Sequence, residues 1–454
     1  MDKIQLYLEV IPLPLLIIGG VSVGFLYLII PAEKRFYLTF LILPTWLALS
    51  KCPDLGAIQA VTKITSGMLF ILLGLAALLR PVPKRRIPMI SWMYVLASGW
   101  LFLCILGVNE RLDTMLIEFQ WVMLVLASMA IVSTLTDLED VEKIFWTLGM
   151  GIIIALAVPL SAIVLSPGTA FIAGMNRFAP WGSPPNLIGL LFVIGAPMLM
   201  YMVMSTKANT FKPILVGLLI LCVGMAILTG SRMTAFSLIV SLGLIAMPLV
   251  KRPGLLLAGG AVGAIVLPLV LSVNEEAASR LTDLSSSGRL TLWREYLMTS
   301  FKRPLGLFGK SGFSAHTDTA IGDHPHSSWM EMLYLGGWPY LLMLLLPAIV
   351  GLKSAWIVWK NRYLYGDKDR QFLIHVIAAL IASFYFQSLF NQALYHPTYT
   401  MSFMAVMLTL LVVAMAAELP QQQLIYEEWL EEIAWEEEEE EQTDWDESNV
   451  PAPA

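Results

Sequence analysis

Histidine is scarce in this chain, and three of its five histidines crowd into residues 316–326. The last two stand in His324-Pro-His326, directly before an apolar run. An imidazole has a pKa of about 6.5, so at the start of a membrane-surface helix it is suited to take a proton from a hydroxyl group. The His324-Pro-His326 pair is therefore a candidate for general-base chemistry.

Arginines stand at three places in the connections between apolar runs. Arg232 lies in Thr229-Gly-Ser-Arg232, a turn so short that its guanidinium group must lie at or just below the membrane surface. Arg177 lies in another connection, and Arg289 lies in the long connection 273–328. An ionisable group on a tight turn is costly unless it meets a partner, and a planar guanidinium fits phosphate oxygens. These residues predict a phosphate-bearing ligand; the simpler alternative is that each arginine reaches lipid phosphates or anchors a helix end.

Metal binding is the main alternative role for the histidines. His324 and His326 form a His-x-His pair that Asp318, Asp323 or His316 would have to complete, and the spacing fixes no third ligand. A histidine without any chemical role is the other alternative. The three cysteines are too few and too scattered for a disulfide framework, and no Cys-x-x-Cys pair indicates a metal site.

The composition predicts the elements that hold these residues. The chain has 454 residues, of which 57% are hydrophobic and 14% charged, and its mean hydropathy is +0.73. Soluble proteins carry about a quarter charged residues, so a soluble enzyme with one membrane anchor is excluded. The apolar runs are too long and continuous for barrel strands, and they predict an all-α, polytopic transmembrane helical bundle.

Each run of about 20 apolar residues is long enough for one transmembrane helix. The first run lacks the basic start and the cleavage site of a signal peptide, so it is counted as a span. Thirteen spans are predicted, and twelve is the alternative, because the second run is short and Lys63 lies inside the third. The predicted spans are 11–31, 36–50, 57–79, 89–108, 115–135, 144–165, 187–204, 214–230, 233–250, 254–272, 329–352, 372–390 and 400–418.

Lysine and arginine are divided unequally between the two sets of connections. Sixteen stand in one set, whereas the short connections of the other set hold five. The positive-inside rule places the first set in the cytoplasm. Arg177, Arg232, His326 and the connection 273–328 are then predicted to face the periplasm or the cell exterior.

The long connection is predicted to contain a short amphipathic helix. Ser285-Ser-Ser-Gly has the composition of a helix cap. After it comes an apolar stripe at helical spacing, formed by Leu290, Trp293, Leu297 and Phe301. We expect this helix to lie against the membrane surface or the mouth of the bundle, where it holds Arg289 and Arg294 at a fixed height.

The C-terminal segment 421–454 differs from the rest of the chain. It holds 13 of the 34 acidic residues and no lysine or arginine, which leaves residues 1–420 with 28 basic and 21 acidic residues. The unbroken run Glu436–Glu441 repels itself, so this tail is predicted to be disordered or at most marginally helical. Docking of the tail to a basic partner is the alternative.

Four segments together resemble the O-antigen ligase family and its Wzy-type polymerase relatives. They are Arg177 with Pro185-Asn186, Thr229-Gly-Ser-Arg232, Arg289-Leu-Thr-Leu-Trp293 followed by Pro304-Leu-Gly306-Leu-Phe-Gly309, and His326-Ser-Ser-Trp-Met-Glu331-Met-Leu333-Tyr-Leu-Gly-Gly337. The resemblance covers residues 170–340 approximately, and it departs from the family pattern at Ser327, where asparagine is usual.

The resemblance implies a membrane glycosyltransferase. Such an enzyme transfers a glycan from a polyprenyl diphosphate carrier to an acceptor hydroxyl group, and it inverts the anomeric centre without a metal or other cofactor. Arg232 and Arg289 would stabilise the diphosphate leaving group, and His326 would deprotonate the acceptor. The residues that would bind substrate or orient the base are Arg177, Asn186, His324, Glu331 and Arg294.

The resemblance also implies the partners and the location of the protein. The partners are the polyprenyl diphosphate-linked glycan donor, a glycan or lipid-core acceptor, membrane lipids and polysaccharide assembly proteins, with no nucleic acid among them. The location is the bacterial cytoplasmic membrane, with the tail in the cytoplasm. We divide the chain into N-terminal transmembrane helices 1–165, a family core 166–420 that includes the extracytoplasmic loop 273–328, and the tail 421–454.

A transporter, such as a lipid-linked glycan flippase or a polysaccharide exporter, is the competing class of protein. Transporters place ionisable residues at mid-membrane, whereas we expect the spans here to be nearly free of charge apart from Lys63. A structural assembly protein without an active site is the third class. The choice between polymerase and ligase depends on the acceptor, which the sequence leaves open.

Overall fold

The computed structural model describes residues 27, 29–106, 111–172, 176–206, 210–247, 289–306, 325–396 and 398–448. Within these residues it has twelve α-helices and no β-strand, and one isolated β-bridge joins Phe171 to Phe178. The predicted all-α architecture is confirmed.

The helices are numbered in chain order. They are α1 (Ala32–Leu49), α2 (Ala57–Leu78), α3 (Ser91–Ile105), α4 (Arg111–Thr134), α5 (Leu138–Leu165), α6 (Pro185–Ser205), α7 (Lys212–Leu228), α8 (Arg232–Ala246), α9 (Arg289–Lys302), α10 (Ser328–Lys360), α11 (Lys368–Ser388) and α12 (Thr400–Ser448).

Eleven of the thirteen predicted spans coincide with one of these helices, and the spans 11–31 and 254–272 fall almost entirely outside the described residues. Seven helices are long and apolar enough to cross a membrane, namely α2, α4, α5, α6, α10, α11 and α12. Helices α3, α7 and α8 are apolar but shorter. The chain is therefore a multi-pass membrane protein.

Short polar residues set where several helices begin. The Asp137 carboxylate accepts a hydrogen bond from the Glu139 backbone N–H at the start of α5, and Asp367 accepts one from the Arg370 N–H at the start of α11. Such caps satisfy backbone donors that have no partner within the helix. Helix α6 instead begins with Pro185, whose ring presets the helical φ angle and which lacks an N–H.

The core of the bundle is built around the first half of α12. Nearly every side chain from Met401 to Met415 is buried, as are most of those along α6. A helix that is apolar on all sides belongs at the centre of a bundle, where it is covered by neighbours rather than by lipid. Helix α12 therefore holds together helices that come from both halves of the chain.

The helix ends fall into two groups. Helices α6, α8, α10 and α12 begin, and α7 and α11 end, at what we call the His326 end. The opposite group is the Arg85 end, where Arg80 pairs with Asp140 at 2.7 Å and Arg85 pairs with Glu418 at 2.7 Å. The described parts of the two predicted sets of connections thus lie at opposite ends of the bundle.

One sequence-based expectation is wrong. Glu118 lies inside α4, within the predicted span 115–135, and its side chain is buried. Lys63 is therefore not the only acidic or basic residue in the predicted spans. A hydrogen bond with Ser98 of α3 offsets part of the cost of burying the carboxyl group. Two more acids lie near the ends of predicted spans, namely Glu331 in 329–352 and Glu418 in 400–418.

The predicted amphipathic helix is present as α9, but the row of side chains that packs against the protein is not the predicted one. Leu292, Tyr296 and Ser300 face the protein and are buried, whereas Leu290 and Phe301 of the predicted stripe are exposed. The two stripes lie on different faces of one helix, so α9 has an apolar face left for the membrane surface.

Helix α12 runs without interruption to Ser448, so it includes the acidic run Glu436–Glu441. Its acidic part contains neither glycine nor proline after Pro420, and glutamate is a good helix former. Extending an existing helix needs no new nucleus, which removes the main cost of forming it. The beginning of the tail is also packed, since Tyr426 lies edge-on to Tyr363 with ring centroids 5.8 Å apart.

Candidate active site

Arg232 is the first residue of α8, at the His326 end. Gly230, with φ +59°, makes the tight turn after α7, and the Ser231 hydroxyl caps α8 by accepting from the Thr234 N–H at 3.4 Å. A positive φ favours glycine, and a serine cap sets the first turn. The Thr-x-Ser-Arg segment therefore places one guanidinium group at the mouth of the bundle.

Arg177 is joined to this turn by its side chain. Its Nε donates to the carbonyl oxygen of Thr229 at 2.9 Å, and its Nη2 donates to the Asn186 side-chain oxygen at 3.2 Å. The backbone adds to the connection, because the Phe178 N–H donates to the Leu228 carbonyl at 2.9 Å. The loop before α6 and the turn before α8 are thus held as one unit.

Helix α9 presents Arg289 and Trp293 on one face, since residues four apart are neighbours on a helix. Arg289 Nη1 donates to the Phe390 carbonyl at 3.0 Å. The Trp293 indole N–H donates to the Pro325 carbonyl at 2.7 Å, directly before His326. The Arg-x-x-x-Trp segment therefore links a cation to the residue that precedes the predicted base.

The other end of α9 is fixed by two glycines. Gly306 and Gly337 both have positive φ angles, +85° and +70°. A Cβ on Gly306 would lie 2.5 Å from the Leu335 carbonyl oxygen, and one on Gly337 would lie 2.6 Å from the Gly306 nitrogen. The Trp338 N–H, freed by the kink in α10 at Gly337, donates to the Pro304 carbonyl at 2.9 Å. This close backbone approach sets α9 against α10.

His326 stands two residues before α10 in a left-handed backbone conformation, with φ +48°. For a residue other than glycine this conformation costs on the order of 1–3 kcal/mol, and it persists only where the surroundings impose it. Those surroundings are Pro325, held by Trp293, and Ser328, held by the loop after α11. Such strain is concentrated at functional sites in proteins.

Glu331 lies in the first turn of α10, and its side chain is buried. Its Oε1 accepts a hydrogen bond from the Gln392 side-chain amide. Burial raises the pKa of the nearby Tyr399 phenol, and the charge of Glu331 raises it further. The carboxylate is thus enclosed by the loop that joins α11 to α12.

Arg232 and Arg289 lie within electrostatic reach of each other. Burial lowers the pKa of the Arg289 guanidinium, and the neighbouring positive charge of Arg232 lowers it further. Two like charges in a partly buried place repel, and an anion between them relieves that repulsion. The arrangement suits a ligand with several negative oxygens.

One predicted residue, Arg294, is not brought into this group. Arg294 is exposed, and because it follows Arg289 by five residues it lies on a different face of α9. His324 lies outside the described residues, as do His316, Asp318 and Asp323. Among the residues that the structure describes, no group of three or more His, Cys, Asp and Glu side chains is placed to hold a metal ion.

The structure adds residues that the motifs did not indicate. Asn391 and Gln392, in the loop between α11 and α12, contact Asn186 and Glu331, and Ser328 contacts Asn391. The one available signal was an Asn-Gln pair between two apolar runs at the predicted outer surface. Sequence spacing alone does not reveal that this pair meets segments far away in the chain.

Part of the chain matches a known family. Residues 217–345 match the family model Wzy_C, described as O-Antigen ligase. The matched range includes Arg232, Arg289, His326 and Glu331, and it leaves Arg177 and Asn186 outside. No curated protein matches the chain. The resemblance drawn from the motifs is confirmed over residues 217–345, and this part of the chain is similar to the O-antigen ligase family.

Proposed function

We propose that this protein, whose family function is of the O-antigen ligase or polymerase type, transfers a glycan from a polyprenyl diphosphate carrier to an acceptor hydroxyl group. One observation carries the proposal. Arg232 and Arg289 lie close enough for one charge to affect the other, and α9 connects Arg289 to the segment that bears His326. A diphosphate and a hydroxyl group are the reactants that such a pair of cations and an imidazole serve.

In the proposed reaction the acceptor oxygen attacks the anomeric carbon of the donor glycan. The bond from that carbon to the diphosphate oxygen breaks, and the polyprenyl diphosphate leaves with the electron pair. Arg232 and Arg289 stabilise the charge that develops on the leaving oxygen. His326 takes the proton of the acceptor hydroxyl. Attack from the face opposite the leaving group inverts the anomeric centre, and no step uses a metal ion or a cofactor.

The remaining predicted residues are assigned to binding and support. Arg177 holds the Arg232 turn through its hydrogen bond to Thr229, and it also bonds to Asn186; both residues are assigned to binding the carrier. Glu331 orients the base or binds a sugar hydroxyl. His324 and Arg294 contact the glycan outside the membrane, which suits the exposed position of Arg294.

The proposed location is the bacterial cytoplasmic membrane, with the active site on the outer side and the tail in the cytoplasm. The distribution of basic residues supports this orientation, since Arg80, Arg85, Lys360 and Arg362 lie at the end opposite His326. The proposed division at residues 165 and 420 keeps all the site segments in one core. Other polysaccharide assembly proteins are proposed partners on either side.

Reconstitution of the purified protein with a lipid-linked oligosaccharide tests the proposal. Release of polyprenyl diphosphate together with a new glycosidic bond is the expected result. Products of increasing repeat number identify a polymerase, whose acceptor is a second lipid-linked glycan. Addition of one preformed chain to a lipid core or another terminal acceptor identifies a ligase.

A lipid-linked glycan flippase or exporter is the second candidate. The buried Glu118 favours it, because transporters use ionisable groups within the membrane. Donor that crosses the bilayer of the proteoliposomes and stays chemically intact would support transport. That result would overturn the proposed enzyme.

A further inference from the structure

The segment Phe390–Leu394, between α11 and α12, contacts three of the helices that form the proposed active site, namely α6, α9 and α10. The Phe390 carbonyl accepts from Arg289, and the Asn391 side chain donates to the Asn186 carbonyl at 3.5 Å. The Phe390 ring also lies 5.9 Å from the Trp293 ring, centroid to centroid. This segment lies outside residues 217–345, the range of the family match.

Ser328, the first residue of α10, is bonded to the same segment. Its backbone N–H and its hydroxyl both donate to the Asn391 carbonyl, at 3.2 and 3.0 Å. The hydroxyl oxygen in turn accepts from the backbone N–H groups of Ala393 and Leu394, each at 3.0 Å. A fully buried hydroxyl with three partners holds the start of α10, and therefore the residue two positions earlier, His326, in one place.

Gln392 makes a second contact with the first turn of α10. Its side-chain amide donates to Glu331, so the segment holds both a backbone position and a side chain of α10. The far end of the same loop is held by Lys51, whose ammonium group donates to Thr398 and lies 4.0 Å from the centroid of the Tyr399 ring. The loop is thus fixed on both sides of the segment.

We propose that Phe390–Leu394 is the positioning segment of the active site, and that Ser328 and Gln392 are the positioning residues through which it sets His326 and Glu331 against the arginines. This inference rests on the proposed transfer reaction. Neither residue is assigned contact with substrate. Their effect is geometric, and a displacement of about 1 Å in a site of this kind costs on the order of 100-fold in rate.

The test compares Ser328→Ala and Gln392→Ala with matched controls elsewhere in the bundle. Ser128→Ala removes a hydroxyl that is equally buried and bonds only to Leu124 of its own helix, at 2.9 Å. Gln120→Ala removes a buried amide that donates to the Lys63 carbonyl at 3.2 Å. Glycan transfer in proteoliposomes gives kcat and the KM for the lipid-linked donor.

The two positioning variants are expected to lower kcat by about 10- to 100-fold while the donor KM stays within about threefold. The two controls should leave both values near wild type. A purely structural role predicts that all four variants lose activity in proportion to their lost thermal stability. Wild-type kcat in both positioning variants, or a loss confined to KM, overturns the inference.

A second measurement does not depend on activity. Hydrogen–deuterium exchange of the full-length protein reports on residues 389–399 and 325–331. Either positioning variant should speed exchange in both segments by about tenfold, because each removes a buried hydrogen bond between them. The controls should change neither segment. If the wild-type protein transfers no glycan but the positioning variants exchange faster in both segments, the proposed reaction is rejected and the positioning role is retained. Unchanged exchange at residues 325–331 in the variants rejects the positioning role.

Discussion

Arg177 donates from Nε to the carbonyl oxygen of Thr229 at 2.9 Å, across a sequence separation of 52 residues. The same guanidinium group donates from Nη2 to the side-chain oxygen of Asn186. One side chain therefore joins the loop before α6, the start of α6 and the turn that carries Arg232. The family match does not include Arg177, yet the residue helps to position one of the two proposed catalytic arginines.

Replacing Arg177 by lysine tests this arrangement. Lysine keeps the charge but has no planar fork, so it loses at least one of the two bonds. A hydrogen bond to a charged group contributes about 1.5–3 kcal/mol, so kcat/KM for Arg177→Lys should fall by about 10- to 100-fold. Arg362→Lys is the matched control, because Arg362 also donates to a carbonyl, that of Trp359, but at the Arg85 end. Equal activity in the two variants would contradict the proposed role of Arg177.

Alanine variants of the proposed catalytic residues should be folded, inserted in the membrane and inactive. We expect His326→Ala to lower transfer by about 10²- to 10⁴-fold, since it removes the general base. Arg232→Ala and Arg289→Ala should each lower it by about 10²- to 10³-fold, since each removes a group that stabilises developing charge. The rate is measured in proteoliposomes, with thermal unfolding as the check on folding.

His324 offers an alternative base, which a double variant examines. Full activity in His326→Ala would reject His326 as the base unless His324 replaces it. In that case the His324→Ala/His326→Ala protein should be inactive. Activity in the double variant would exclude both imidazoles as the general base.

The Gly306–Gly337 contact predicts a stability effect at a distance from the proposed chemistry. Gly337→Ala adds a Cβ that overlaps the backbone near Pro304 and imposes a positive φ on alanine. We expect it to lower the free energy of unfolding by roughly 1–3 kcal/mol, visible as a lower melting temperature. Gly217→Ala, in α7, is the control, because a Cβ there meets nothing within 4 Å. It should be neutral or stabilising by up to about 1 kcal/mol. A melting temperature for Gly337→Ala as high as that of the control would show that the two backbones are not in close contact.

Removing the tail should leave glycan transfer unchanged in vitro. A chain that ends at residue 420 loses the contact between Tyr426 and Tyr363, which is worth about 0.5–1.5 kcal/mol. A chain that ends at residue 428 keeps it. Both are expected to match the wild-type kcat, and only the shorter chain should melt earlier. Loss of transfer in both would place the tail in the catalytic cycle.

Single cysteines at positions 177, 232, 289 and 326 test the proposed orientation. The native residues Cys52, Cys104 and Cys222 are buried and so should react little. A membrane-impermeant maleimide added to intact cells should label the four introduced cysteines and leave Lys360→Cys, at the Arg85 end, unlabelled until the cells are opened. Labelling at position 360 from outside would reverse the orientation.

The sequence was a reliable guide wherever local chemistry decides the outcome. Gly230 and Ser231 determine a turn and a cap within a few residues, so the position of Arg232 at a helix start followed from the chain itself. The apolar runs predicted eleven helices for the same reason, because a membrane helix satisfies its own backbone. The stripe of α9 was harder to assign, since two faces of one helix are apolar and only the neighbours decide which one is buried.

Contacts between residues that are far apart in the sequence could not be predicted in this way. Phe390, Asn391 and Gln392 resemble any polar turn between two spans, and their importance appears only when α10 and α9 are packed beside them. The strained backbone of His326 is likewise imposed by neighbours rather than by histidine itself.

The amino-acid sequence by itself thus determined the class of the protein, the approximate limits of its helices and the types of group available for chemistry. These properties depend on hydrophobicity and short-range sterics, which act over a few residues. Only the tertiary structure decided which arginines lie together, which loop holds the start of α10 and which face of α9 meets the protein. Those relationships depend on how helices from distant parts of the chain pack, and packing is a property of the whole bundle rather than of any one segment.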